Sequence, residues 1–302
     1  LIMTRELRLP KILLVFNILM LCLMIIKTQL GSSALADERL KTDCHNTLEK
    51  ARLWIRATDF NAPEEEKTRV KSAINIANQA CRLAKESAPD DGGVLVNSAY
   101  ALFAAEKKKE AVKVIQEASE IGYPPAMVMM ARYLGQGKYM EKDSEGAWLL
   151  LIKTLKTKHD VARIQAALEF LPGGVGPENT KRAKSTLRGL INDGNSKAMV
   201  AYAMKVLKLK NAKPNTNESK EGIELLERAA RKFQNPKAMI FLSLLYNQGN
   251  VVKRNEQKAI EYAQLAIDAK VPQAFGTMGQ IYQNQGDNEL SLIHISEPTR
   301  PY

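Results

Sequence analysis

Aromatic residues make up only 6% of this 302-residue chain, and histidine and cysteine occur three times each. His45, His159 and His294, and Cys22, Cys44 and Cys81, are scattered, so no Cys/His cluster has metal-ligand spacing. No serine or cysteine nucleophile has a histidine placed by a recognisable motif. Aromatics are also absent from between the basic residues Lys107-Lys108-Lys109 and Lys205, Lys208, Lys210 and Lys213. A nucleic-acid site would interleave the two, so these lysines read as solvated helix ends and no nucleic-acid partner is expected. No block of five or more like charges occurs, which argues against a disordered basic tail. The stretch "PGGVGPENTK" lacks the G-x-x-x-x-G-K-(S/T) order of a phosphate cradle and reads as a plain turn. Glu64-Glu65-Glu66 reads as a helix start, where the macrodipole favours carboxylates. No cofactor, metal or enzymatic activity is expected.

Hydrophobic residues, by contrast, make up 45% of the chain, enough for a sizeable core in one or two domains, and plentiful Ala, Leu and Lys point to helices. Met3 reads as the initiator of a targeting segment over residues 3–36: basic Arg5, Arg8 and Lys11, an apolar run from Ile12 to Ile26, then the A-x-A site Ala34-Leu35-Ala36. The run holds 15 residues and is interrupted by Asn17, short of the about 20 a spanning helix needs, so cleavage is favoured over an uncleaved anchor. Leu21 before Cys22 is too large for a lipoprotein site. A periplasmic or secreted product without a membrane span is expected. Setting aside residues 1–36 and 290–302 takes five basic and two acidic residues from the 44 and 33, leaving a net charge of +8. That charge suits solubility and would favour anionic partners such as acidic polysaccharide.

Aligned against itself, the chain has a period. Alanines open five similar segments at Ala126, Ala162, Ala198, Ala238 and Ala274, in steps of 36, 36, 40 and 36 residues. Five positions on stand Ala131, Ala167, Ala203, Ser243 and Gly279; eight on stand Leu134, Phe170, Val206, Tyr246 and Tyr282. Apolar or small residues at i, i+4, i+5 and i+8 mark one helix face, and the small one lets a neighbouring helix approach closely. Gly137, Gly173 and Gly249, at +11, are placed as helix stops. A second helix opens at Ala147, Ala183 and Ala259, each 21 residues after its alanine, and at Gly222, where "NAKPNTNES" lengthens the loop.

This pattern of paired helices, with a glycine-containing loop and K-A-x-x-(Y/L) opening the second helix, resembles the Sel-one-like repeat family. Gly92 to Pro125, with Ala99, Ala111, Ile115 and Ala118, is more similar to its shorter relative, the tetratricopeptide repeat, and together the two cover about two thirds of the chain. Ala238 to Val271 is the most specific unit, and the unit at Ala162 rests mainly on phase. The resemblance implies an all-α fold, a right-handed α-solenoid of antiparallel helix pairs over residues 92–289, preceded by a helical hairpin over 37–91. It further implies an exported, non-catalytic adaptor for protein partners in a cell-envelope or polysaccharide-export assembly. Direct binding of acidic polysaccharide or peptidoglycan fragments is the alternative.

Three expectations follow. In repeats of this kind the first helix lines the concave side, so positions +2 and +6 should face a groove: Val128, Ile164, Val200, Ile240 and Gly276, then Arg132, Leu168, Met204, Leu244 and Gln280. Most are apolar, so either tight stacking buries them between repeats or they line an apolar peptide-binding channel. Next, phase calls for a second helix near residue 295, but "SLIHISEPTRPY" places Pro298 and Pro301 in its first turns. Residues 290–302 look like a translated sequencing adaptor, so native sequence is expected to stop at Glu289 in mid-repeat. Last, helices over Glu38–Ala57 and Glu64–Ser87 would set Cys44 and Cys81 level across a hairpin. They then form either a disulfide, as cysteine-rich secreted members of the family do, or two small buried hydrophobes.

Overall fold

The computed structural model describes residues 34–58, 62–176, 179–208 and 216–285. Among them every regular element is a helix. The apolar run of the targeting segment and the adaptor-like tail lie outside the described residues. Within those described, no helix is long and apolar enough to cross a membrane.

Two compact units divide the chain inside one helix, the first ending at Tyr133 apart from Gly137–Glu141. The first unit contains α1 (34–57), α2 (Glu64–Ser87), α3 (Gly92–Ala104), α4 (Lys108–Glu120) and most of α5 (Pro124–Gln136). The second carries α6 (Ser144–Leu155), α7 (Asp160–Leu168), α8 (Thr180–Asn192), α9 (Ser196–Lys208), α10 (Asn217–Phe233), α11 (Pro236–Gln248), α12 (Glu256–Asp268) and α13 (Gln273–Gln285). Consecutive helices pack on one another from α2 to α4 and from α6 to α13, as short connections dictate for antiparallel neighbours.

Cys44 and Cys81 join α1 to α2 in a disulfide with a Cα–Cα distance of 4.4 Å. Helix axes usually lie about 8–10 Å apart, and the close approach comes from small buried neighbours: Ala51 on α1, Ala77 and Ala84 on α2. Ser98 of α3 donates to the Cys81 carbonyl at 3.0 Å, and Lys41 pairs with Asp91, the N-cap of α3, at 2.8 Å. The hairpin and α3 thus share one buried cluster, which includes Val94 and Ala101.

In the second unit the repeat phase becomes packing. Ala162, Ala198, Ala238 and Ala274 are fully buried, and so are Ala147, Ala183 and Ala259 of the second helices. Ser243, in the small-residue position, donates to the Ala259 carbonyl at 2.8 Å and so ties the two helices of its pair together. Gly222 replaces alanine because a Cβ there would lie 3.1 Å from the Leu207 side chain. Gly249 ends α11 at φ +70°, in the left-handed region where a Cβ is costly, and one would also press on the Arg254 backbone. α7 stops early, at Leu168, because Pro172 disfavours helical geometry in the residue before it. In the "PGGVG" loop that follows, Glu169 accepts from the Val175 N–H through its carboxylate and from the Gly176 N–H through its carbonyl, both at 3.1 Å. The loop is a turn closed on the chain's own carboxylate.

Candidate functional site

The helix starts fix everything the second unit presents. Three residues before the opening alanines of α7, α9 and α11 stands a polar cap: His159 Nδ1 accepts from the Ala162 N–H at 3.2 Å, Asn195 Oδ1 from Ala198 at 3.1 Å, and Asn235 Oδ1 from Ala238 at 3.3 Å. Such caps satisfy amides that the helix leaves orphaned. The two asparagines also reach back one repeat, Asn195 Nδ2 to Asp160 Oδ2 at 3.0 Å and Asn235 Nδ2 to Ser196 Oγ at 3.1 Å. The second helices start alike. Asp143, Asn179 and Asn255 cap α6, α8 and α12 with their side chains, and their own N–H groups donate to the carbonyls of Leu134, Phe170 and Tyr246 at 3.0 Å. Their sequence signal is a polar residue three before Ala162, Ala198 and Ala238 and seventeen after Ala126, Ala162 and Ala238, which the small-residue phase does not contain.

Held this way, α7, α9, α11 and the turn before α13 enclose a groove of about 720 Å³. Ile164, Leu168, Val200, Met204 and Ile240 all line it. Ile164 and Val200, at +2, are buried, whereas Ile240, also at +2, and Leu168 and Met204, at +6, are half-buried. Burial and lining therefore do not separate by position in the repeat. Leu244 is half-buried and Gln280 exposed, both outside this lining. Val128, fully buried, and Arg132, half-buried, belong to the first unit. At the rim stand Lys197 and Lys237, which the search for chemistry-bearing motifs passed over, since a lysine in a first helical turn reads as solvated.

A second concavity, of about 470 Å³, lies in the first unit beside Cys81. Its charges are of both signs, Lys85 and Glu117 lying 2.6 Å apart and Lys107 and Glu110 3.9 Å apart, with Arg82 and Lys113 in the lining as well. Burial within the same unit pushes the Tyr133 hydroxyl up to about 12, in a trio with Phe103 and Tyr139. That trio packs and offers no base. Among the described residues no group of His, Cys, Asp and Glu side chains could hold a metal ion.

Comparison with known proteins agrees with this architecture. A family model of the Sel1 repeat matches residues 124–154, 196–232 and 236–271, the pairs α5–α6, α9–α10 and α11–α12. An uncharacterized protein of Neisseria meningitidis serogroup B is 25% identical over 199 residues, 66% of this chain and 40% of the relative, so the chain spans well under half of that protein's length. Among solved structures, a Sel1 repeat protein from Oxalobacter formigenes aligns with 73% of this chain and 65% of its own at 17% identity and a TM-score of 0.43. A protective antigen of uropathogenic Escherichia coli with an SLR fold aligns with 87% of this chain and 72% of its own at 13% identity and a TM-score of 0.40. Residues 124–154, 196–232 and 236–271 thus match the Sel1 repeat, a kind of repeat that typically serves as a scaffold for protein–protein interaction.

Proposed function

We propose that this chain is an exported, non-catalytic adaptor that holds a protein partner in the α7–α9–α11 groove within a cell-envelope or polysaccharide-export assembly. The observation that carries the reading is the groove floor: Leu168 and Met204 are apolar and half-exposed on a face the fold does not need for its own core. Exposed apolar surface framed by polar residues is what a docking site requires. The A-x-A site after an apolar run, and a disulfide that persists only in an oxidising compartment, support export. Direct binding of acidic polysaccharide would draw on the net +8 charge but would leave the apolar floor wet.

Affinity capture from envelope extract tests this. Leu168→Asp and Met204→Asp should each lose the partner that the unsubstituted chain retains, with helicity and melting temperature nearly unchanged. Retention of the same partner by both folded variants would refute the groove as the docking site.

A further inference from the structure

Resting on that docking reading, we propose that the groove's occupant is an extended acidic–apolar polypeptide segment, its carboxylates over Lys197 and Lys237 and its apolar side chains on Leu168, Met204 and Ile240. The charge census comes first. Among the described residues, the only charged ones lining the groove are those two lysines, and no aspartate or glutamate lines it. Both occupy the second position of a first helix, α9 and α11, one repeat apart, where the positive end of the macrodipole adds to their charge.

Elsewhere in the same unit, cations that face the next repeat are paired. Lys184 meets Glu218 at 3.7 Å and Arg188 meets Glu221 at 3.8 Å between α8 and α10; Arg231 meets Glu261 at 2.8 Å and Lys258 meets Glu227 at 3.8 Å between α10 and α12. The second helices are laced together by ion pairs. Lys197 and Lys237, on the first-helix side, are exposed and have no carboxylate partner among the described residues. Charge compensation there is left to whatever fills the groove.

Spacing and hydrogen bonding favour a polypeptide. Lys197 and Lys237 line one groove from the first helices of consecutive repeats, and an extended chain advancing about 3.3 Å per residue would pass both within a few residues. Gln165 and Gln273 flank the floor on either side, and neither side-chain amide is engaged within the described residues. An amide that can both donate and accept suits a peptide backbone. An acyl chain with an anionic head would use the floor and one lysine but neither amide.

Panning a random dodecapeptide phage library on the intact chain tests this, followed by affinity measurement of the best synthetic peptide. The expected pool is enriched at least twofold in Asp and Glu, two to four residues apart and interleaved with apolar residues. Affinity should fall at least tenfold in the Lys197→Glu/Lys237→Glu double variant, checked for unchanged melting, and severalfold on raising salt. A pool without acidic bias, whose binding is lost in Met204→Asp, would overturn the acidic occupant while leaving the groove reading standing. No enrichment above a blank surface would overturn both. Retention of a fluorescent fatty acid, lost in the lysine double variant, with no peptide selected would overturn the proposal in favour of an anionic lipid.

Discussion

The α1–α2 hairpin and the α11–α12 pair both hold two helices together, by different means. In the hairpin two helices of 24 residues contribute Cys44, Leu48, Ala51, Ala77, Cys81 and Ala84 to their buried cluster, with Leu48 the only large side chain among them. Small side chains allow close approach but remove little apolar surface from water, and at about 25 cal/mol per Å² they stabilise little. The disulfide offsets that deficit. In α11–α12 the helices have 13 residues each and no cysteine, but Leu242, Tyr246 and Tyr262 fill the space between them, and both flanks stack on neighbouring helices. Such a pair depends on its neighbours rather than on a staple. Where a repeat can lean on others its phase suffices; a pair built from alanine needs a covalent tie.

The sharpest way to break this contrast is Cys81→Ala. Closing a loop of this length is worth about 3–4 kcal/mol by the chain-entropy estimate. Trp54 lies in α1 and Trp148 in α6, so single-tryptophan versions report each unit separately during urea unfolding. The Trp54 transition should shift by nearly the full amount and the Trp148 transition should stay; equal shifts would show that the staple serves both. Next in size is Ala238→Leu, which overpacks the phase position and should cost about 1–3 kcal/mol on the Trp148 transition alone. Asn235→Ala removes a cap and should cost about 1 kcal/mol. Asn235→Asp keeps the cap acceptor but not the donor to Ser196, and should cost less in the same assay. Arg163 stands where the other repeats hold Met127, Met199 and Met239, and its Nε is buried without a partner. Arg163→Met should therefore stabilise by about 0.5–1 kcal/mol.

The smallest effect concerns pH. The hydrogen bond from Lys41 holds the Asp91 carboxyl below its ordinary value. Its contribution is thus fully present above the unfolded value of about 3.9 and is lost as pH falls through the lower folded value. Asp91→Asn should lower the stability reported by Trp54 by less than about 1 kcal/mol at pH 7–9, and the difference should vanish as pH falls through the folded Asp91 value.

How much could be foreseen follows from which forces leave a local trace. Close helix approach demands small residues at a fixed phase, and α2 runs from Glu64 to Ser87 as its charges and apolar face indicate. Left-handed φ at Gly137 and Gly249, directly after α5 and α11, matches their reading as helix stops, whereas Gly173 takes the same geometry inside the loop, five residues after α7 has ended. Cys44 and Cys81 stand level about the turn between the two N-terminal helices, which leaves a disulfide as one of two readings, and the structure forms it. Less legible were features decided by neighbours: the early end of α7, the asparagines reaching back one repeat, and the burial of Ile164 and Val200 where the equivalent Ile240 stays half-buried. Leu244 and Leu168 occupy equivalent places in the phase, yet only Leu168 lines the groove, and no spacing rule separates them.

Site-specific photocross-linking in living cells tests the central claim most directly, with a photoreactive side chain at position 204 on the groove floor and, as control, at Arg188 on α8. The account predicts one abundant protein adduct from position 204 and none of that mass from position 188. The same adduct from both positions, or adducts from position 188 alone, would contradict the groove as the working surface of this protein.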